Sequence, residues 1–386
     1  MSIGRLANPQ DFPACQKLTY LNAASAALMY KPAGDDIVAW QADLAENGTF
    51  NFDERAEEQV FDGLHAAAAQ LLDAKPADIA AGSSATELLS SLAWSMIPHE
   101  GQNIVGTAAA HPSTIYPWQR VARLAGCEVR LASRDEIGFV DPKAMRDLID
   151  EHTAILALSH VEYRTGQLYD LRELAAAIHP LGGALVVDAT QSAGHVPIHA
   201  RACGADAIVA SGYKWLCGPF GAAVMYLAPS LQDRLDPGLV GWRSHREMWD
   251  FRAERLSYPR GARRFEASTM AYGCALGLAK AIDFLAGIGV DRISAHNISL
   301  TRMLGDEVEA RGGRILRAHH TPRTCSILSF VFPGRDMARI AAQLYGCGVV
   351  ISERGGVVRV SPHLYNDEDD IGRMVQALDQ VLSQSA

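Results

Sequence analysis

Six short apolar runs recur through the middle of the chain: NIVGT (103–107), CEVRLA (127–132), AILALS (154–159), ALVVDA (184–189), DAIVAS (206–211) and AAVMYL (222–227). They are rich in Val, Ile, Leu and Ala and do not alternate apolar with polar residues. A strand with one wet face alternates, whereas a strand covered on both faces does not. Helix-length segments separate most of the runs. TELLSSLAWSMI (86–97) sets Leu89, Leu92 or Ala93, and Met96 on one face. DPKAMRDLIDEH (141–152) opens on an Asp-Pro pair suited to a helix start, and LRELAAAIHPLGG (171–183) ends at glycines. This alternation predicts an α/β fold with an open, mostly parallel sheet flanked by helices. DAIVAS and AAVMYL leave no room for a helix between them, so one of the two is a candidate antiparallel strand.

The pattern changes near residue 250. Residues 242–268 are charged and irregular, and two long helical runs follow at about 269–287 and 289–312. Then come CSILSFVF (325–332), DMARIAAQLYG (336–346), GVVI (348–351), VVRVSP (357–362) and a last helix from about 367. The reading is a large α/β domain over 15–255 and a smaller α+β domain over 256–386, with residues 1–14 packed on the latter.

Composition narrows the function. The 386 residues carry a net charge of −9 and no basic run, which argues against nucleic acid as a partner. Seven cysteines, widely spaced and with no C-x-x-C pair, argue against a disulfide framework and a metal site. The first residues, MSIGRLANPQDF, lack the apolar core of a secretory leader, and no apolar run reaches membrane-spanning length. A cytoplasmic protein without a membrane partner is the expectation.

Ligands of open α/β sheets bind beyond the carboxyl ends of the strands. The chemistry-bearing residues fall there. His111 follows NIVGT, Tyr163 follows AILALS, Asp188 ends ALVVD, and Ser211, Tyr213 and Lys214 follow DAIVA. Upstream, AGSSATE (81–87) is a small-residue loop opening a helix, whose N–H groups suit a phosphate. Singly, each has a plain alternative: a cap, a turn residue, a solvated lysine. Together they form the set that pyridoxal 5'-phosphate (PLP) needs. Its aldehyde takes a lysine amine, its ring nitrogen a carboxylate, its phosphate a helix start, and its ring a flat side chain.

The chain resembles the class V aminotransferase family of fold-type I PLP enzymes, which includes cysteine desulfurases, selenocysteine lyases, kynureninases and isopenicillin-N-epimerase-like proteins. The resemblance runs from YLNAASAAL (20–28) to VRVSPHLYND (358–367) and is most specific in VVDATQSAGHVPI (186–198) and ASGYKWLCGPFG (210–221). HPSTIYPWQ (111–119), SHVEYRTGQ (159–167) and RRFEAST (263–269) add to it. It implies a fold-type I transferase whose large domain holds a mostly parallel seven-stranded sheet. It implies that Lys214 is the Schiff-base lysine and proton shuttle, that Asp188 pairs with the ring nitrogen, and that His111 stacks on the ring. Gln191 would bond the cofactor's phenolic oxygen. Ala85, Thr86, Ser211 and Tyr213 would form the phosphate cup, with Thr269 reaching the phosphate from a neighbouring subunit. A homodimer with shared sites follows from that last role. Arg359 would clamp the α-carboxylate of a small amino-acid substrate, with Tyr163 beside it.

The family's desulfurases carry a mobile cysteine on a loop shortly before the carboxylate-binding arginine. Here that loop is SERGG (352–356), without cysteine. Cys347 lies one strand too early, and Cys217, three residues past Lys214, has no assigned role. The expected reaction is β-elimination of a C–S type from a small L-amino acid, without a persulfide-forming cysteine. Transamination, epimerisation, kynureninase-like hydrolysis and a non-catalytic PLP-binding scaffold are the alternatives. Most of Arg164, Arg243, Arg246, Arg263 and Arg264, together with His160 and Glu162, read as structural.

Overall fold

The computed structural model describes residues 3–316 and 325–384. After two short 3-10 turns the chain forms β1 (Thr19–Tyr20), then α1 (Lys31–Asn47), α2 (Glu54–Glu58) and α3 (Asp62–Leu71). The alternating region follows: β2 (Ile79–Gly82), α4 (Ala85–Ser95), β3 (Asn103–Thr107), α5 (Pro112–Ala125), β4 (Glu128–Ala132), α6 (Pro142–Arg146), β5 (Thr153–Ser159), α7 (Leu171–Ile178), β6 (Ala184–Asp188), α8 (Ala200–Cys203), β7 (Ala207–Ser211), β8 (Ala223–Leu227) and α9 (Pro229–Gln232). Two long helices, α10 (Tyr272–Ile288) and α11 (Val290–Ala310), lead to β9 (Arg314–Ile315), β10 (Leu328–Val331), α12 (Met337–Gly346), β11 (Val349–Val350), β12 (Ser352–Glu353), β13 (Val358–Val360) and α13 (Glu368–Gln384).

The main sheet has seven strands in the order β2-β8-β7-β6-β5-β3-β4. All six apolar runs are strands in it. Only β8 runs antiparallel, to both β7 and β2, as the missing helix before it requires. The fold is therefore the expected α/β architecture, and the reason for the unbroken apolar runs is visible. Successive residues of one strand enter different cores. Leu156, Val187 and Ile208 pack with α3 and α10, while Ile155, Val186 and Val209 pack with α4 and α5. The seventh strand, β2, reads IAAG, and its small residues carry no strand signal.

One helix is shorter than its pattern suggests. α6 stops at Arg146, although the expected run extends to residue 152. The Asp150 carboxylate accepts from Asn103 Nδ2 (2.8 Å), the His152 amide (3.0 Å) and Arg130 Nη1 (2.5 Å). These bonds hold the backbone in a turn in place of a further helical one.

The smaller sheet, β12-β13-β10-β9, is antiparallel throughout. α11, α12 and α13 cover it around Leu300, Leu304, Phe330, Ile340 and Met374. β1 pairs in parallel with β11, so the N-terminal segment is tied to this unit. α10, expected in the small domain, instead shares the large core with α1 and α3 through Tyr272, Ala275, Leu278 and Ile282. Ala7 and Phe12 lie in that same core, while Ile3 packs on the smaller one. We therefore propose dividing the chain at Gly289, the left-handed glycine (φ 93°) between α10 and α11, instead of after residue 255.

Leu278 of α10 supports the stretch after β7. A Cβ built on Gly212 would lie 2.9 Å from Leu278 Cδ1, and one on Gly218 would lie 2.6 Å from it. The two glycines thus let the helix touch the turn that carries Lys214. Leu278 is fully buried. Leu278→Ala should cost about 2–5 kcal/mol by removing those contacts and leaving a void. Urea denaturation of the variant and the parent measures the loss.

Candidate active site

β7 ends at Ser211, and the chain reverses into β8 through a turn stitched by its own backbone. The Gly212 amide donates to Ala222 O (2.9 Å), the Cys217 amide to Lys214 O (2.8 Å) and the Gly218 amide to Gly212 O (2.9 Å). Cys217 takes a left-handed conformation (φ 51°) that few non-glycine residues adopt. Its thiol is buried in the large core, and burial pushes its ionisation far upward. Cys217 therefore shapes the turn, and its burial disfavours the thiolate.

This turn sets Lys214 into a recess lined also by Asp188, Ser211 and Tyr213. Lys214 is only 9% exposed. Its Nζ sits 5.5 Å from the centre of the Tyr213 ring and has no hydrogen-bond or ion-pair partner among the described residues. Burial lowers its pKa from 10.5 to about 8, against the opposing pull of Asp188 and with a small push from Arg359 and Arg354. A substantial share of the amine is therefore neutral, hence nucleophilic and basic, near pH 8.

Asp188 ends β6 next to Ser159, the last residue of β5, because the parallel register pairs the two. One carboxylate oxygen accepts from the Thr190 amide (2.9 Å) and the other from Thr114 Oγ1 (2.8 Å). Thr114 lies on α5, and its hydroxyl also sits 3.3 Å from Ser159 Oγ. The carboxylate is thus buried, oriented and within the same recess as the amine.

The other end of the recess is the start of α4. Ser84 caps it by accepting from the Glu87 amide (3.1 Å). The Ala85 amide donates to Ser211 Oγ (3.1 Å), and Thr86 Oγ1 donates to Ser113 Oγ (2.9 Å). The amides of a helix start, ringed by hydroxyls that can turn to a ligand, suit an anion. Tyr213 adds its ring at this end, stacked on Phe220 with 4.5 Å between centres.

His111 caps α5, its Nδ1 accepting from the Ser113 amide at 3.3 Å. Its ring meets Tyr163 edge-on, 5.6 Å between centres at 87°. Burial first, then the Lys214 charge, lowers its pKa, so a neutral imidazole faces the recess at pH 7. Gln191 lies nearby in the lining.

Arg359 of β13 does not line the recess but grips its wall. Nη1 donates to Tyr163 O (2.5 Å), and Nη2 donates to Ser25 Oγ (2.6 Å) and Ser352 Oγ (3.1 Å). Nε is buried without a partner, and the guanidinium pairs with no carboxylate among the described residues. Burial lowers its pKa to about 10. A desolvated guanidinium with no counter-ion is a ready site for a ligand carboxylate.

Ten of the eleven sequence-derived residues thus converge: Ala85, Thr86, His111, Tyr163, Asp188, Gln191, Ser211, Tyr213 and Lys214 line one recess, and Arg359 adjoins it. Thr269 does not. It is exposed, and its hydroxyl accepts from Trp242 Nε1 at 3.3 Å. Sequence reasoning missed Thr114, Thr190, Ser159, Ser113 and Ser25, all short hydroxyl residues whose roles depend on partners far along the chain. Thr190, two residues past Asp188, is the one with a local signal, since an Asp side chain often accepts from the amide two positions on.

The donor set fits PLP. A buried amine without a partner, a buried carboxylate beside it, and a helix start with hydroxyls at the far end match its aldehyde, ring nitrogen and phosphate. Lys214 must be neutral to attack an aldehyde, so its pKa fixes a pH dependence. The rate of PLP uptake by cofactor-free protein should rise as pH increases through about 8 and level off above it. Stopped-flow absorbance checks this, and Lys214→Ala should show no such phase.

The aminotransferase class-V family model matches residues 19–374. A protein of Methanothermobacter thermautotrophicus named "Probable cysteine desulfurase" is 27% identical, covering 96% of each chain. Among solved structures, the cysteine desulfurase CsdA of Escherichia coli is 24% identical and superposes with a TM-score of 0.85 over 98% of this chain and 99% of its own. The cystine C–S lyase C-DES, in complex with its reaction product cysteine persulfide, is also 24% identical, with a TM-score of 0.86 over 95% of this chain and 98% of its own. Buried lysine, paired carboxylate and whole-chain family match agree: the chain belongs to the class-V aminotransferase family and is a PLP-dependent enzyme.

Proposed function

We propose that the protein is a lyase that eliminates a sulfur substituent from Cβ of a small L-amino acid, without passing the sulfur to a cysteine of its own. The observation that carries this reading is the placement of the thiols. None of the seven cysteines lines the recess. Residues 352–356, before Arg359, contain none. Cys217 and Cys325 are buried with raised pKa, Cys325 to about 12, and Cys325 Sγ donates to Gly166 O (3.1 Å). A thiol that stays protonated and packed is a poor sulfur acceptor. The likeness to C-DES, itself a cystine C–S lyase, supports the same reading, whereas relatives named for cysteine desulfurases support C–S bond cleavage but not the absence of an acceptor cysteine.

In this reading Lys214, Asp188, His111 and Gln191 hold the cofactor's ring. Ala85, Thr86, Ser211 and Tyr213 hold its phosphate, joined by Thr269 of a second copy in a homodimer with shared sites. Bound there, PLP supplies an electron sink for the bond broken at Cα. Arg359 binds the substrate α-carboxylate and Tyr163 closes over it. Lys214, once its amine is free, takes the Cα proton. The Cβ–S bond then breaks, and sulfur leaves with the electron pair. The released enamine adds water and yields pyruvate and ammonia. Asp188, oriented by its two hydrogen bonds, would face the ring nitrogen and stabilise its positive charge.

Product analysis tests the reading. L-cystine, S-substituted cysteines or β-chloroalanine should give pyruvate and ammonia in equal amounts with no keto acid added. Turnover that strictly requires a keto-acid acceptor would replace elimination with transamination. Alkylating the accessible thiols should leave the rate unchanged, whereas loss of turnover would point to a sulfur-accepting cysteine. Arg359→Ala should remove about 2–4 kcal/mol of carboxylate binding, roughly 30- to 1,000-fold in kcat/KM.

A further inference from the structure

Trp215 follows Lys214 in the chain and is fully buried. Its indole Nε1 donates to Gln191 Oε1 at 2.9 Å, and Gln191 Nε2 donates to Ala24 O at 2.8 Å. An indole N–H can only donate and a backbone carbonyl can only accept. These two partners therefore decide which end of the Gln191 amide is which. Reversed, the amide would set N–H against N–H and oxygen against oxygen.

The indole is itself clamped. The His195 ring stacks on it with 3.6 Å between centres and 23° between planes. His195 Nε2 lies 2.7 Å from Gln191 O, an acceptor, so that nitrogen carries the proton and Nδ1 accepts from Ser326 Oγ at 3.0 Å. His363 Nε2 donates in the same way to Trp215 O at 3.0 Å. Burial holds both imidazoles near pKa 3, so they stay neutral and the pattern persists across physiological pH. The second N–H of the Gln191 amide has no partner among the described residues, and Gln191 lines the recess.

We propose that Trp215 is a positioning residue: its indole N–H locks the Gln191 amide so that Gln191 presents a hydrogen-bond donor to the cofactor's ring oxygen. This rests on the reading that Gln191 faces that oxygen. A donor there favours the ionised oxygen, whereas a freely turning amide also presents lone pairs that oppose it. Lys214 and Trp215, adjacent in sequence, thus divide two tasks, attachment of the cofactor and control of its acidity.

The test uses holoenzyme and the absorption of the bound cofactor as a function of pH. Trp215→Phe should raise the midpoint of that transition by about one unit, the size of one hydrogen bond. Gln191→Met should raise it similarly, and adding Trp215→Phe to Gln191→Met should change nothing further. A wild-type midpoint in Trp215→Phe with the chromophore retained would overturn the proposal, as would an additive shift in the double variant. If Trp215→Phe does not fold, Gln191→Asn serves. It keeps the amide but withdraws its oxygen from the indole, and an unchanged midpoint would again overturn the proposal. An unchanged midpoint in Gln191→Met, with cofactor bound and turnover retained, would overturn the role of Gln191 while leaving the enzyme's reaction class intact.

Discussion

The Lys214 amine sits buried in its recess without a hydrogen-bond or ion-pair partner among the described residues. Keeping a lysine there is unfavourable for its charged form, and the lowered pKa of about 8 expresses that cost. The surrounding packing sustains it. Gly212 and Gly218 admit Leu278 of α10, and Cys217 accepts a left-handed backbone so that the chain can return at once into β8. The antiparallel strand is therefore part of the site. A helix in that connection would carry the lysine away from Asp188.

Three distant parts of the chain meet around this amine. The strand ends supply Asp188 and Ser159, and α4 and α5 supply amides and hydroxyls. The N-terminal segment supplies Ser25 to Arg359 and the Ala24 carbonyl to Gln191. The smaller sheet supplies Arg359 itself, paired through Ser352 across β12 and β13. The N-terminal segment thus bridges both units, since β1 pairs with β11 while Ala24 holds Gln191 of the recess lining and Ser25 holds Arg359 beside it. A shift of the small unit would move Arg359 and Tyr163 together, because Arg359 holds the Tyr163 carbonyl.

Much of this was legible in the sequence for local reasons. Strands buried on both faces announce themselves as unbroken apolar runs, and polar residues at their ends mark where a ligand binds. The lysine and the aspartate each lie beside such a run, and the helix start of the phosphate cup shows as a small-residue loop opening a helical pattern. What was not legible depends on partners far apart. Thr114 matters because Asp188 lies across the sheet, and Ser25 because Arg359 is folded over it. β2 hides in IAAG, whose small residues look like a loop. α6 ends early because Asp150 finds Asn103, a contact no helical period reveals. α10 joins the large core because its apolar residues meet α1 and α3, whereas its sequence reads only as a long helix.

Borohydride reduction of the PLP-loaded enzyme, followed by proteolysis and mass spectrometry, tests most directly that one buried lysine carries the cofactor. The expected result is a single modified site, Lys214, approaching one cofactor per chain. A modification spread over exposed lysines, or none at Lys214, would contradict it.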